Sequence, residues 1–159
     1  MSTEETIKHF IYLDDVRVPV KVHEWEQDWI VVRSYDEFVA KITELGLENI
    51  QLITLDHDLG PQSTRHFLRS TINTSVFDYS QVDEKTGLDC AKWLVEHAMD
   101  NSIALPHVVV HSANPVGSAN IMGYINNYLY INRMPQSCIR VQVEHTVDEE
   151  LASRQGWNN

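Results

Sequence analysis

Three short apolar runs, each cut off by acid or histidine, constrain this chain more than any other feature of its sequence. His9–Leu13 (HFIYL) stops at Asp14-Asp15, Ile50–Leu55 (IQLITL) stops at Asp56-His57-Asp58, and His107–His111 (HVVVH) ends on its own histidine before Ser112. Runs of this length with little polar alternation suit strands buried on both faces, which means a parallel sheet covered by helices. Trp29–Arg33 (WIVVR) and Cys138–Val143 (CIRVQV) read as two further strands.

The segments between the strands carry helix signals. Ser34 has the place of an N-cap with Glu37 three residues on, and Phe38, Ile42 and Leu45 recur at helical spacing until Gly46. A second helix starts at Gly87, with Leu88, Ala91, Leu94, Val95 and Ala98 as its stripe. Asn114 and Pro115 open a third, whose apolar face is Ile121, Ile125 and Leu129. Val16, Val18, Val20 and Val22 alternate with Arg17, Pro19 and Lys21, so an extended edge segment is expected there and no clear first helix. Residues 61–86 lack periodicity and read as an insertion that could serve as a lid.

No repeat and no Pro/Gly/Ser linker divides the 159 residues, so 1–159 is expected to form one domain with a polar tail over about 146–159. No run approaches the roughly 18 apolar residues of a membrane span. The acidic start Met1-Ser-Thr-Glu-Glu lacks the basic flank of an export signal, and Cys90 and Cys138 lack CxxC spacing. Reduced buried thiols and a soluble, cytoplasmic protein are expected. Twelve Lys and Arg against 23 Asp and Glu leave a net charge of −11, which disfavours tracking along a long duplex. A small nucleotide or an RNA terminus remains compatible, provided a metal or a local basic group offsets the charge. The oligomeric state is not legible.

Parallel sheets bind ligands beyond the carboxyl ends of their strands, where strand order reverses. The polar clusters fall at those ends. If the first and third strands are neighbours, Asp14, Asp15, Asp56 and Asp58 converge, and two unit charges 4 Å apart repel by about 4 kcal/mol at an effective dielectric of 20. Such a cluster calls for a cation or raised pKa values, and hard oxygen donors suit Mg²⁺ or Mn²⁺. His57 and His111 could serve as general acid and base, with an imidazole beside carboxylates expected to have a raised pKa. Arg17, Ser112 and Asn114 are candidate phosphate ligands, and Gly117 would permit close approach to the helix terminus. The remaining histidines, His9, His23, His66, His97, His107 and His145, are expected to be structural or exposed, and Trp25, Trp29 and Trp93 to belong to the core.

Aspartates after the first and third strands and Ser112 after the fourth resemble a response-regulator receiver domain. In that likeness Asp14 and Asp15 match the acidic metal pair, Asp56 the phosphoacceptor and Ser112 the hydroxyl residue. The Gln142-Val-Glu-His145 end of the last run departs from it, lacking the Lys-Pro of a receiver switch. The sequence is more similar to the cyclic-phosphate-processing receiver domains of bacteria and phages. The motifs that carry this likeness are Leu13-Asp-Asp-Val-Arg-Val-Pro19, Leu55-Asp-His-Asp-Leu-Gly60, Gly87-Leu-Asp89 with Trp93, and His111-Ser-Ala-Asn-Pro-Val-Gly117 with Asn120 and Met122. The resemblance implies an α/β fold with one doubly wound, parallel five-stranded sheet in receiver-like order 2-1-3-4-5. It also implies processing of cyclic phosphate ends in RNA repair or conflict.

The expectation is a metal-assisted phosphoesterase acting on a 2′,3′-cyclic nucleotide or RNA end. Asp14, Asp15 and Asp56 would hold Mg²⁺ or Mn²⁺ with Asp58 nearby, and His57 and His111 would move protons in an unassigned order. Two rivals share the fold: a non-catalytic module binding a nucleotide or protein, and a receiver phosphorylated on Asp56.

Overall fold

The computed structural model describes residues 8–20, 28–59 and 85–147. In chain order these residues form β1 (His9–Leu13), β2 (Arg17–Pro19), β3 (Trp29–Val32), α1 (Tyr35–Leu45), a 3₁₀ turn (Leu47–Asn49), β4 (Ile50–Leu55), α2 (Gly87–Asp100), β5 (His107–Val110), α3 (Pro115–Ile131) and β6 (His145–Val147). The expected insertion, apart from Lys85 and Thr86, lies outside the described residues, as do His23, Trp25, His66 and the tail beyond 147.

Four strands make one parallel sheet in the order β3-β1-β4-β5, and β2 and β6 make a separate antiparallel ribbon. Leu13 stands opposite Val32 and Leu55, and Leu55 opposite Val110, so all four strands stop at the same level. The α/β class agrees with the expectation, but the expected fifth strand does not form. Cys138–Val143 meets β5 through a single bridge at Arg140, where Val110 donates to the Ile139 carbonyl and Val141 donates to the Val110 carbonyl. Ile139 is 54% exposed, so this run lacks the two-sided burial of a sheet strand. The chain then departs to the ribbon, where Val20 donates to the Glu144 carbonyl and His145–Val147 pairs with Pro19–Arg17. Part of the expected tail is therefore β6.

A second correction concerns the layers. The connections β3–α1–β4, β4–α2–β5 and β5–α3 all advance across the sheet in one direction, and right-handed crossovers then place their helices on one face. Ile11, Leu13, Ile53, Leu55, Val108 and Val110 pack there with Phe38 and Ile42 of α1, Cys90 and Leu94 of α2, and Ile121, Ile125 and Leu129 of α3. Only β1 to β3 runs the other way. Among the described residues no helix covers the opposite face, so the double winding expected for the sheet is absent from them. That face carries an aromatic group, with the Phe10 and Tyr12 rings 5.3 and 5.9 Å from that of Trp29.

The helix ends follow their sequence signals. Ser34 Oγ accepts from the Glu37 amide, while the Glu37 carboxylate reaches past the cap to the Arg33 amide, 2.6 Å away. Gly46 closes α1 at φ +86°, a backbone region that disfavours a side chain. Asp89 accepts from the Thr86 amide and braces the start of α2, a signal hidden at the edge of the unpatterned segment. Asn114 caps α3 by accepting from the Gly117 amide. Cys90 and Cys138 are buried free thiols, and burial pushes Cys138 up to about 12. Among the described residues no helix is long and apolar enough to cross a membrane.

Candidate functional site

The sheet ladder continues one residue past the strands. Asp14 donates to the Val32 carbonyl, Asp56 to that of Leu13 and His111 to that of Leu55. Asp14, Asp56 and His111 thus form a row across three adjacent strands at the point where strand order reverses. Side chains alternate faces along a strand, so this row shares the helix-free face with Tyr12 and Thr54. The contacts agree: the His111 ring stacks on Tyr12 at 4.3 Å, and its Nδ1 lies 2.8 Å from Thr54 Oγ1.

Asp14 divides its two oxygens between fold and site. Oδ1 accepts from the amides of Val16 and Arg17 at 3.0 and 2.8 Å, an Asx-type turn that starts β2. Arg33 Nη1 clamps the same turn by donating to the carbonyls of Asp14 and Arg17. Oδ2 faces His111 Nε2 at 3.1 Å and Arg17 Nε at 3.9 Å. One carboxylate oxygen from each of Asp14 and Asp56 and one His111 nitrogen lie within 4.8 Å of one another, a group able to hold a metal ion. Asp15 stands next to this group but is not one of the three.

Burial dominates the electrostatics. It pushes Asp56 up to about 8, helped by the negative charges of Asp14 and Asp15 and opposed by Arg17 and a hydrogen bond with Ser112. It pushes Asp15 up to about 7, with Asp14 adding to the effect. For Asp14 burial acts in the same direction, but hydrogen bonds from His111 and from the Val16 and Arg17 amides outweigh it, and its carboxyl stays below the usual range. His111 contradicts the expected rise. Desolvation lowers its pKa more than Asp14 raises it, and the charges of Arg17 and His145 lower it further. A neutral imidazole facing an ionised Asp14 carries its proton on Nε2, and Nδ1 then accepts from the Thr54 hydroxyl. Both nitrogens are thereby engaged.

His57 belongs to a separate group. Its Nδ1 lies 3.0 Å from Asp58 Oδ1, and Asp58 Oδ2 accepts from Asn114 Nδ2 at 3.3 Å. Its ring lies so close to Gly117 that a Cβ there would overlap it, so this glycine admits a protein side chain where sequence reasoning expected a ligand. Gly87 is equally constrained, because a Cβ would overlap the Asp56 carbonyl oxygen and its amide donates to His57 O at 2.7 Å. His57 therefore sits on the α3 side and His111 on the helix-free side, with Asp56 beside His57 in sequence but in the same row as His111. Ser112 Oγ accepts from the Asn114 amide and also meets Asp56.

A cleft of about 790 Å³ opens beside His111 and Ser112. Arg17, a candidate phosphate ligand from the sequence, lines it. Arg140 and His145 line it too, and sequence reasoning missed both because they follow the last recognisable motif. The one available signal was that a run after a predicted sheet-edge strand ends at the same edge as the other polar clusters.

Residues 9–127 match the family model of the cyclic-phosphate processing receiver domain. No curated protein and no solved structure matches the chain. The matched segment spans more than half of the chain and contains Asp14, Asp15, Asp56, His57, Asp58, His111, Ser112 and Asn114. The chain belongs to the cyclic-phosphate processing receiver domain family.

Proposed function

We propose that this protein is a metal-assisted phosphoesterase that opens the 2′,3′-cyclic phosphate of a nucleotide or RNA end. The observation that carries the reading is the row of Asp14, Asp56 and His111, whose donor atoms converge within 4.8 Å while burial and mutual repulsion push Asp56 up to about 8. Buried carboxylates so placed favour a proton or a cation over ionisation in isolation. Two carboxylates and an imidazole fit Mn²⁺ and, with water completing the shell, Mg²⁺. When bound, such an ion neutralises negative charge on phosphoryl oxygens.

The chain's own groups divide the remaining work. Asp14, Asp56 and His111 would hold the cation, with Asp15 adding charge beside them and Asp58 nearby against His57. Thr54 fixes the His111 ring and can accept its Nδ1 proton when Nε2 is a ligand. In the reaction a water oxygen bonds to phosphorus, and one bridging P–O bond breaks to leave a monoester and a hydroxyl. His57 exchanges the proton, since Asp58 holds its Nδ1 and among the described residues its Nε2 has no hydrogen bond. Arg17, Ser112 and Asn114 orient the phosphate.

The test is hydrolysis of 2′,3′-cyclic AMP and a cyclic-phosphate-ended RNA oligomer with Mg²⁺, Mn²⁺ or EDTA. Metal-dependent turnover lost in Asp56→Asn and His57→Ala supports the proposal, whereas absence of turnover with every metal refutes it. A second reading, phosphorylation of Asp56, draws on its contact with Ser112. Acetyl phosphate labelling lost in Asp56→Asn would favour it.

A further inference from the structure

The cleft beside His111 has a cationic wall in a protein of net charge −11. Arg17 comes from β2, Arg140 from the segment bridged to β5, and His145 from β6. Among the described lining residues Glu144 is the single acid, while Ala113, Val141 and Val143 give an apolar surface beside the cations. The Arg140 guanidinium makes no hydrogen bond or ion pair among the described residues, whereas Arg17 is turned toward Asp14. His145 spends Nδ1 on the Val143 carbonyl at 2.9 Å, which leaves Nε2 for another partner. The wall is continuous with the site, because Arg17 Nε lies 3.9 Å from the Asp14 oxygen that faces His111. Arg140 and His145 lie beyond residue 127, outside the segment that matches the family.

If the aspartate row holds a metal at the terminal phosphate, the Arg140 guanidinium is left for a second anion. A volume of about 790 Å³ is also roomy for a single nucleotide, lying toward the upper end of the ~300–1,000 Å³ typical of ligand pockets. Apolar and cationic lining together match a nucleoside followed by a phosphodiester. We infer that Arg140, with His145, binds the internucleotide phosphate next to the reacting end, so that the substrate is an oligoribonucleotide terminus and not a free mononucleotide. This inference rests on the proposed function for the identity of the reacting end.

The experiment is calorimetric binding of two metal-free product mimics, 3′-AMP and the dinucleotide ApA bearing a 3′-phosphate, to the full chain. The dinucleotide is expected to bind about tenfold tighter, the scale of one added charge-assisted contact. Arg140→Ala should erase the difference between the two probes, Arg140→Lys should keep part of it, and added salt should shrink it. Arg140 is exposed and its bridge is made by backbone atoms, so the variant is expected to fold. Equal affinities in the wild-type protein, an undiminished difference in Arg140→Ala, or no binding of either probe would each overturn the inference. Turnover with equal affinities defeats the inference alone. Arg140-dependent length discrimination without turnover defeats the proposed activity alone.

Discussion

Raising the pH from 6.5 to 8 without divalent cations should destabilise this protein. Asp56 and Asp15 are buried, at 7% and 5% exposure, and their native pKa values stand at about 8 and about 7. In the unfolded chain an aspartate ionises near 3.9. Within the window the native state therefore holds protons that the unfolded state has lost, and stability falls as pH rises, by about 1.4 kcal/mol per unit for each fully protonated carboxyl. Allowing for partial ionisation, the loss is roughly 2 kcal/mol, about two thirds of it from Asp56. In a domain of this size that lowers the melting temperature by about 4–8 °C. Below pH 6.5 the slope is opposed, because unfolded imidazoles gain protons that His111, with its lowered pKa, resists. Calorimetric melting in EDTA across the window reads the effect. Asp56→Asn should remove most of the slope, and saturating Mn²⁺ should flatten it by replacing the protons. A melting temperature that is constant or rises with pH in EDTA would refute the reasoning, as would an unchanged slope in Asp56→Asn.

The glycines make a contrasting pair. The atoms nearest a Cβ on Gly117 all belong to the His57 ring, so Gly117→Ala should displace that side chain and lower turnover, while unfolding free energy should fall by less than about 1 kcal/mol. Gly87→Ala meets the Asp56 and His57 backbone and should cost about 3 kcal/mol by urea unfolding. Thr54→Val keeps the shape but leaves His111 Nδ1 buried without a partner, with an expected loss of about 1–3 kcal/mol. Ser34→Ala removes the cap of α1 and should cost about 1 kcal/mol, measured the same way.

The strands and helices were legible because their signals are local. Short apolar runs for the strands, and capping residues with helical spacing for the helices, suffice for β1, α1, β4, α2, β5 and α3. The fate of Cys138–Val143 was not, since whether an apolar run joins a sheet depends on what competes for it. Here β2 draws the following residues into a ribbon, and the run keeps one bridge. The pKa of His111 was misjudged for a related reason: sequence shows the neighbouring carboxylates but not the desolvation that outweighs them. His145 and Arg140 are surface residues, and nothing local in the sequence shows that the ribbon and the β5 bridge place them along the cleft.

Separation of the two histidines follows from register more than from composition. Leu13, Leu55 and Val110 face the helices at one level, so the next residue on each strand, Asp14, Asp56 and His111, turns to the other face. Deleting one residue from β4 would carry His57 into the row and send Asp56 toward α3, leaving Asp14 beside two imidazoles and no second carboxylate. Motif spelling alone places Asp56 and His57 next to each other and assigns them one pocket. Strand parity assigns them to opposite sides, His57 against Gly117 with Asp58 and Asn114, His111 against Tyr12 with Thr54. On the proposed function, a metal and a proton carrier would then approach a phosphate from different directions without competing for the same space.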